Sequence, residues 1–316
     1  MEAIADRLRL PADETTIGGL LVFAAEAGFG TLAIFGKLAA TAGLSTSTLL
    51  LFRFVVATIT VWAVFGFRGR AQLLSGRALW IALAIGTTYG VMNGLFFEGL
   101  AYLPAGLTAI VFYTYPVHVF VIATVALDER VTRLKILALG VAVVGVGLIA
   151  GANPTGADPF GIILVLLAAV AYAIYTTGIR ATLSSVDAAT LTATALIATT
   201  LSILPYGVLA GGLSVPVGIE QWLIVFGIGL IGTAAPIVLF FRGLDRIEAS
   251  HASVIGTSEP MATVVLGVAL LGETVTPILV LGGGFVLCGV LLIQRESRST
   301  GTVEESQSIA RLHCSS

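Results

Sequence analysis

Two stretches of the chain repeat one another: residues 95–132 read LFFEGLAYLPAGLTAIVFYTYPVHVFVIATVALDERVT, and residues 239–276 read LFFRGLDRIEASHASVIGTSEPMATVVLGVALLGETVT. Extending the comparison without a gap to 95–149 and 239–293 gives eighteen identities in fifty-five positions. They include Pro116 with Pro260 and Glu129 with Glu273. The first apolar run of the chain repeats in the same way from Gly161, at a shift of 143 residues. Self-similarity at a fixed offset predicts two structural repeats.

The composition around these repeats is that of a membrane protein. Of the 316 residues, 57% are hydrophobic and 11% are charged, whereas a soluble domain carries about 25% charged residues. So few charges cannot cover a soluble protein of this size, and the net charge of −2 argues against a nucleic-acid binder. Two cysteines, Cys288 and Cys314, provide no disulfide framework.

Apolar runs of spanning length recur along the chain. A bilayer core of roughly 30 Å requires about 20 apolar residues per helix, and runs this long exclude the shorter, alternating strands of a barrel. The sequence predicts an all-α integral membrane protein with ten spans, at 17–40, 46–67, 78–100, 107–127, 134–150, 161–179, 189–209, 222–241, 252–271 and 278–293.

The positive charges predict the orientation of these spans. With the N-terminus inside, fourteen of the sixteen Lys and Arg residues fall in cytoplasmic segments, as the positive-inside rule requires. Only Lys37 and Arg53 lie elsewhere. Both termini are therefore expected in the cytoplasm, with the multi-pass chain in the cell membrane, or in the inner membrane of a prokaryote. The first apolar run shows no cleavage site and is read as a spanning helix.

The repeat and the span count together predict inverted topology. Five helices per copy is an odd number, so the second copy must cross the membrane in the opposite sense. The predicted organisation is a cytoplasmic leader (1–16), a first five-helix repeat (17–150), a second five-helix repeat (161–294) and a disordered cytoplasmic tail (295–316). Inverted repeats are an architecture of secondary transporters, which bind substrate between the halves near the midplane.

The second copy resembles a known family. The segments 239–244, 249–253, 259–260 and 271–273 look like the second EamA domain of the drug/metabolite transporter superfamily, and the first copy shows the same skeleton with Pro116 and Glu129. The resemblance extends from about residue 17 to 294. It implies a carrier in which helices one, three, four, six, eight and nine surround a central cavity while five and ten are peripheral. Tyr115 stands where the second copy has Glu259, so a symmetric binding site is not expected.

Ionisable residues inside spanning helices are the first candidates for function, because burying them in lipid is costly. Glu26, in the middle of the first helix, is predicted to face the cavity and to bind substrate or a proton. Glu259 is a similar candidate, although a kink at Pro260, like one at Pro116, equally suits a gate. Arg53 either pairs with a membrane carboxylate or contacts an anionic substrate group.

Polar and aromatic residues form a second set of candidates. His118 is either a hydrogen-bonded structural group or a proton carrier, and Asn93 either joins helices or lines the cavity. Tyr115, Tyr172 and Thr257 suit an amphipathic metabolite, with packing as the alternative. Glu129 and Glu273 each stand just before a helix and are predicted to be structural caps.

These features favour a secondary active or facilitative transporter that moves small organic metabolites, such as amino acids, by alternating access, with export as the expected direction. A polytopic membrane enzyme and a channel or lipid-handling protein are the alternatives. The three histidines and two cysteines form no metal or nucleophile set, so no enzyme, cofactor or metal is expected. The predicted partners are a small-molecule substrate and the bilayer, without nucleic acid; a proton, a counter-substrate and a homodimer are left open.

Overall fold

The structure is a computed structural model that describes residues 12–69, 72–126, 132–152, 158–182, 186–209, 212–247 and 249–292. Every regular element in this part of the chain is a helix. The predicted leader, the tail and Glu129 lie wholly or largely outside the described residues. The helices are α1 (Ala12–Thr41), α2 (Thr46–Phe67), α3 (Gly76–Tyr102), α4 (Ala105–Phe112), α5 (Tyr115–Ala126), α6 (Arg133–Ala152), α7 (Pro159–Thr182), α8 (Ala188–Leu209), α9 (Gly218–Gly229), α10 (Ala235–Leu244), α11 (Ala249–Gly256), α12 (Ser258–Leu271) and α13 (Pro277–Leu292).

Eight helical segments of the described chain are long and apolar enough to cross a membrane. They are α1, α2, α3, α7, α8 and the pairs α4–α5, α9–α10 and α11–α12. Two further apolar segments, Ile136–Leu148 and Pro277–Leu292, are shorter. Large apolar side chains such as Trp80, Ile163 and Leu209 are exposed on the outside of the bundle, where only lipid can cover them.

Two spans that the sequence predicts to be kinked at a proline are broken into two helices each. The fourth predicted span divides at Tyr113 and Thr114 into α4 and α5, and the ninth divides at Thr257 into α11 and α12. The physical reason is the repeated proline, because Pro116 and Pro260 have no N–H to donate to the preceding turn. Each break therefore lies just before its proline, which occupies the first turn of the helix that follows.

A wide turn interrupts the helix that begins at Gly218. Residues Leu230–Ala234 form a π-helical segment between α9 and α10. The side chain of Thr233 donates a 2.9 Å hydrogen bond to the carbonyl of Ile228, five residues earlier. Pro236, in the first turn of α10, cannot donate a backbone hydrogen bond and so favours this local widening.

Glycines bring the central helices into direct backbone contact. A Cβ added to Gly18 on α1 would lie 3.2 Å from the Gly243 carbonyl on α10, and one added to Gly161 on α7 would lie 3.2 Å from the Gly99 carbonyl on α3. These two contacts join positions that the repeat offset makes equivalent. Packing of α1 on α10 and of α7 on α3 sets the width of the space between them.

Candidate functional site

The middle of the bundle encloses a cavity of about 550 Å³. Its wall is formed by residues from both halves of the chain, on α1, α3, α4, α5, α7, α8, α10, α11 and α12. Five of the predicted site residues line it: Glu26, Asn93, Tyr115, Tyr172 and Glu259. The cavity is large enough for a small organic metabolite and has a mostly apolar wall with few polar groups, which is typical of ligand sites.

Two carboxyl groups face this cavity. Glu26 on α1 is 6% exposed, and Glu259 lies in the first turn of α12, close enough to Glu26 to interact with it electrostatically. In the part of the chain that the structure describes, no basic side chain lies within ion-pair distance of either carboxylate. The two groups are therefore available to a ligand or a proton.

A glycine leaves the Glu26 carboxylate accessible. A Cβ added to Gly256, at the C-terminal end of α11, would lie 3.6 Å from Glu26 Oε1 and 3.5 Å from the hydroxyl of Tyr113. A longer side chain at this position would project over the carboxylate. Gly256 is also a cavity-lining residue that the sequence analysis did not select.

Aromatic rings form one continuous wall of the cavity. The rings of Tyr115 and Tyr172 meet edge to face with centroids 4.6 Å apart, and Phe112 packs against both, at 5.9 and 5.3 Å. Tyr175 stacks on Tyr172 at 5.6 Å and on Tyr89 at 4.7 Å. The wall therefore presents ring faces and edges from α3, α4, α5 and α7 to a ligand.

The helix breaks also lie at the cavity. The carbonyls of Phe112 and Gly256 stand four residues before Pro116 and Pro260, so neither receives the usual helical hydrogen bond. Both residues line the cavity and lie at the C-terminal ends of short helices, where the helix dipole is negative. The rule that a proline frees the carbonyl four residues earlier could have identified both from the sequence.

Among the described residues no carboxylate pairs with Arg53, in contrast to one of its two predicted roles. Its side chain is fully buried on α2, where Nε donates to Thr233 Oγ1 at 2.8 Å and Nη1 donates to Asn93 Oδ1 at 2.9 Å. The guanidinium also lies over the rings of Phe54 and Phe97, at 4.7 and 5.4 Å. Arg53 is not among the residues that line the cavity. It joins α2, α3 and the π-helical turn behind the cavity wall.

Asn93 takes both of the roles that the sequence left open. Its amide nitrogen donates to the Tyr89 carbonyl at 2.8 Å, its oxygen accepts from Arg53, and the residue lines the cavity. His118 and Thr257 do not line the cavity. His118 Nδ1 lies 3.1 Å from the Thr114 carbonyl, and the hydroxyl of Thr257 donates to the Val254 carbonyl at 2.7 Å.

Glu273 acts on a helix that is distant in sequence. Its carboxylate accepts hydrogen bonds from the backbone N–H groups of Ala105, at 2.5 Å, and Gly106, at 3.0 Å, which are the first two residues of α4. Gly272 ends α12 with φ +67°, and the Glu273 N–H then bonds to the Gly267 carbonyl at 3.1 Å. This turn directs the carboxylate to α4 rather than to the helix that follows it in the chain.

Tyr89 and Tyr175 are the main cavity residues that sequence reasoning did not commit to. Tyr89 lies four residues before Asn93 on one helix face, and that spacing was the available signal. Among the described residues, no group of three or more His, Cys, Asp or Glu side chains could hold a metal ion.

Comparison with known proteins gives one consistent result. A model of the EamA-like transporter family matches residues 16–151 and again residues 159–295. Two transporters of Archaeoglobus fulgidus, both named uncharacterized, are similar to this chain. One is 30% identical over 203 residues, which are 63% of this chain and 71% of the relative. The other is 33% identical over 95 residues, which are 30% of this chain and 33% of the relative.

A third relative carries a more specific name. The probable terminal-alkyne amino-acid exporter of Streptantibioticus cattleyicolor is 26% identical over 273 residues, 85% of this chain and 89% of that protein. A solved crystal structure shares the fold with a TM-score of 0.64 at 20% identity, covering 90% of this chain and 98% of that chain.

Proposed function

The chain belongs to the EamA-like transporter family, and we propose that it is a secondary carrier that exports small organic metabolites, amino acids or related compounds, by alternating access. The family and the apolar helices make it a multi-pass membrane transporter. The observation that carries the proposal is the central cavity, whose wall combines residues from both segments that the family model matches. A carrier needs such a site between two halves that can move relative to each other.

The proposed layout is ten helices in two inverted repeats, 17–150 and 161–294, with both termini in the cytoplasm of a cell-membrane protein. The equivalent contacts of Gly18 with Gly243 and of Gly161 with Gly99 support it. A second equivalent pair supports it too, since added Cβ atoms at Gly145 and Gly289 would lie 2.6 Å from the Gly282 carbonyl and 2.7 Å from the Ala138 carbonyl. A C-terminal reporter facing outward would contradict this topology.

One conformation of the transport cycle follows from the cavity's position. The cavity extends towards Arg180 and Leu244, which the proposed topology assigns to the cytoplasmic side. At the opposite end, Glu273 holds the first residues of α4, and Lys37 on α1 lies close enough to interact electrostatically with the same carboxylate. This arrangement fits an inward-facing state whose outer end is closed.

The substrate class rests on the wall of the cavity and on one relative. Aromatic rings and a few polar groups suit an amphipathic metabolite, and a relative named as a probable amino-acid exporter is 26% identical. Glu26 and Glu259 are the groups that could couple transport to a proton or to a counter-substrate, because no described basic side chain neutralises them.

Transport in proteoliposomes tests the proposal. The purified protein should show saturable movement of at least one member of a panel of amino acids and related amines and acids. Gly256→Leu should abolish it, because the new side chain would project over Glu26 into the cavity. Gly284→Leu is the matched control, because Gly284 is exposed and a Cβ there has nothing within 4 Å, so this change should leave transport unchanged. Chemical conversion of a panel member without its movement would instead favour the enzyme alternative.

A further inference from the structure

The charges around the cavity are not balanced. Glu26 and Glu259 face it from α1 and α12, and the one basic residue on its described wall is Arg180, in the last turn of α7. Arg180 lies two helical turns beyond Tyr172, roughly 12 Å along the axis, and makes no ion pair with either carboxylate. The lining of the cavity therefore carries two carboxyl groups and one cation, which stands at one end. A further cation, Arg53, lies behind the wall, where its guanidinium is bonded to Thr233 and Asn93.

The broken helices add negative potential at the cavity. The carbonyls of Phe112 and Gly256 end α4 and α11 at the cavity and lack the donors that Pro116 and Pro260 cannot supply. The Val117 N–H of α5 is taken by the Thr114 carbonyl at 2.9 Å, and α12 carries Glu259 in its own first turn.

The aromatic wall suits the same kind of ligand. Tyr115 and Tyr172 present ring surfaces close enough to Glu259 to interact with it electrostatically, and a cation over such a ring is attracted by its quadrupole. Two carboxylates repel each other in a medium of low dielectric, and a cation between them removes that repulsion. An anion would meet both carboxylates and both helix ends.

We propose that the cavity recognises the ammonium group of its substrate, held between Glu26 and Glu259 and against the rings of Tyr115 and Tyr172, so that small organic amines bind without needing a carboxylate. This inference rests on the proposed function, because it names the substrate class of the same cavity. The inference goes beyond the proposed function because it excludes organic anions and ranks amines above amino acids as ligands.

Three probes of one shape test the inference. Phenethylamine, phenylalanine and 3-phenylpropanoate share a phenylethyl body. Phenethylamine carries only an ammonium group, 3-phenylpropanoate only a carboxylate, and phenylalanine carries both. Calorimetry uses the full chain in phosphatidylcholine nanodiscs, with empty nanodiscs to subtract partition into lipid. The expected order of affinity is phenethylamine, then phenylalanine, with no saturable binding of 3-phenylpropanoate. Equal or tighter binding of the anion, tighter binding of phenylalanine than of the amine, or no binding of any probe would overturn the inference.

Variants separate the carboxylates from the rings. Glu26→Gln and Glu259→Gln should each weaken phenethylamine binding by about 10- to 100-fold, the value of a charge-assisted hydrogen bond. Glu220→Gln, the same change on the exposed first turn of α9, is the control and should have no effect. Tyr172→Leu should weaken binding by about 2- to 30-fold and Tyr172→Phe should not. The tyrosine pair keeps the inference testable if a carboxyl variant fails to fold.

Transport distinguishes this inference from the proposed function. Counterflow of radiolabelled phenethylamine in proteoliposomes is expected to accompany its binding. If phenethylamine binds but no member of the amino-acid, amine and acid panel is transported, the ammonium site stands and the proposed carrier function is refuted. Saturable transport of 3-phenylpropanoate, with no binding of the amine, would refute the ammonium site and leave the carrier.

Discussion

Arg53 offers the sharpest test of how the bundle is held together. Its guanidinium is fully buried, its Nη2 has no hydrogen-bond partner in the described structure, and Nε depends on the hydroxyl of Thr233. Thr233→Val keeps the shape of the side chain and removes that acceptor. The substitution also releases the Ile228 carbonyl, to which the same hydroxyl donates.

The expected loss follows from these two bonds. A hydrogen bond to a charged group contributes about 1.5–3 kcal/mol, whereas neutral hydrogen bonds between membrane helices average about 0.6 kcal/mol. Thr233→Val removes both bonds and should therefore lower the free energy of unfolding by about 2–3.5 kcal/mol. In an Arg53→Met background the charged donor is absent, so the same substitution should cost only about 0.6 kcal/mol. The bond to Ile228 is lost in both backgrounds and cancels, so the coupling energy is that of the charged bond, about 1.5–3 kcal/mol.

These proteins form a double-mutant cycle: the unaltered protein, Thr233→Val, Arg53→Met and the double variant. The free energy of unfolding of each is measured by reversible unfolding in mixed micelles, followed by circular dichroism. Thr199→Val is the control, because that hydroxyl is equally buried but donates only to the carbonyls of Gly86 and Ala195. It should lose about 0.6 kcal/mol in both backgrounds. The reasoning fails if Thr233→Val costs the same, within about 0.5 kcal/mol, with Arg53 and with methionine at that position.

Three further predictions concern packing, capping and coupling. Gly243→Leu should prevent α10 from approaching α1, since even a Cβ would lie 2.9 Å from the Gly18 carbonyl; size-exclusion chromatography should show loss of the monodisperse protein, and a normal profile would contradict it. Glu273→Gln should weaken the cap on α4 and lower stability by about 0.5–2 kcal/mol in thermal unfolding, and an unchanged melting temperature would argue against the cap. Glu26→Gln should make uptake into proteoliposomes independent of pH if Glu26 exchanges a proton, and a pH profile like that of the unaltered protein would exclude this role.

Several features could be predicted from residues close together in the sequence. Apolar run length predicts helices that cross a bilayer, because the bilayer fixes their length. The repeated prolines at 116 and 260 indicate an interruption in equivalent helices, although the breaks themselves lie at Tyr113–Thr114 and at Thr257. Glu26 was expected to face the cavity because an isolated carboxyl in a spanning helix is costly anywhere else.

The partners of the other polar residues could not be predicted in this way. Arg53 is bonded to Thr233, 180 residues later, and Glu273 caps α4, about 168 residues earlier. Nothing in the local sequence identifies these contacts. They depend on the packing of α2 on the π-helical segment and of α12 on α4, and on the turn at Gly272 that aims the carboxylate.

The sequence by itself determined the class of molecule: an all-helical membrane protein of the EamA family, with two related segments and few intramembrane charges. It could do so because hydrophobic length and self-similarity are properties of the chain alone. Only the tertiary structure decided which of those charged side chains line the cavity. Glu26 and Glu259 meet there while Arg53 lies behind Asn93 and His118 turns to its own backbone. Side chains on different helices become neighbours only when the helices pack, and the cavity is the space which that packing leaves.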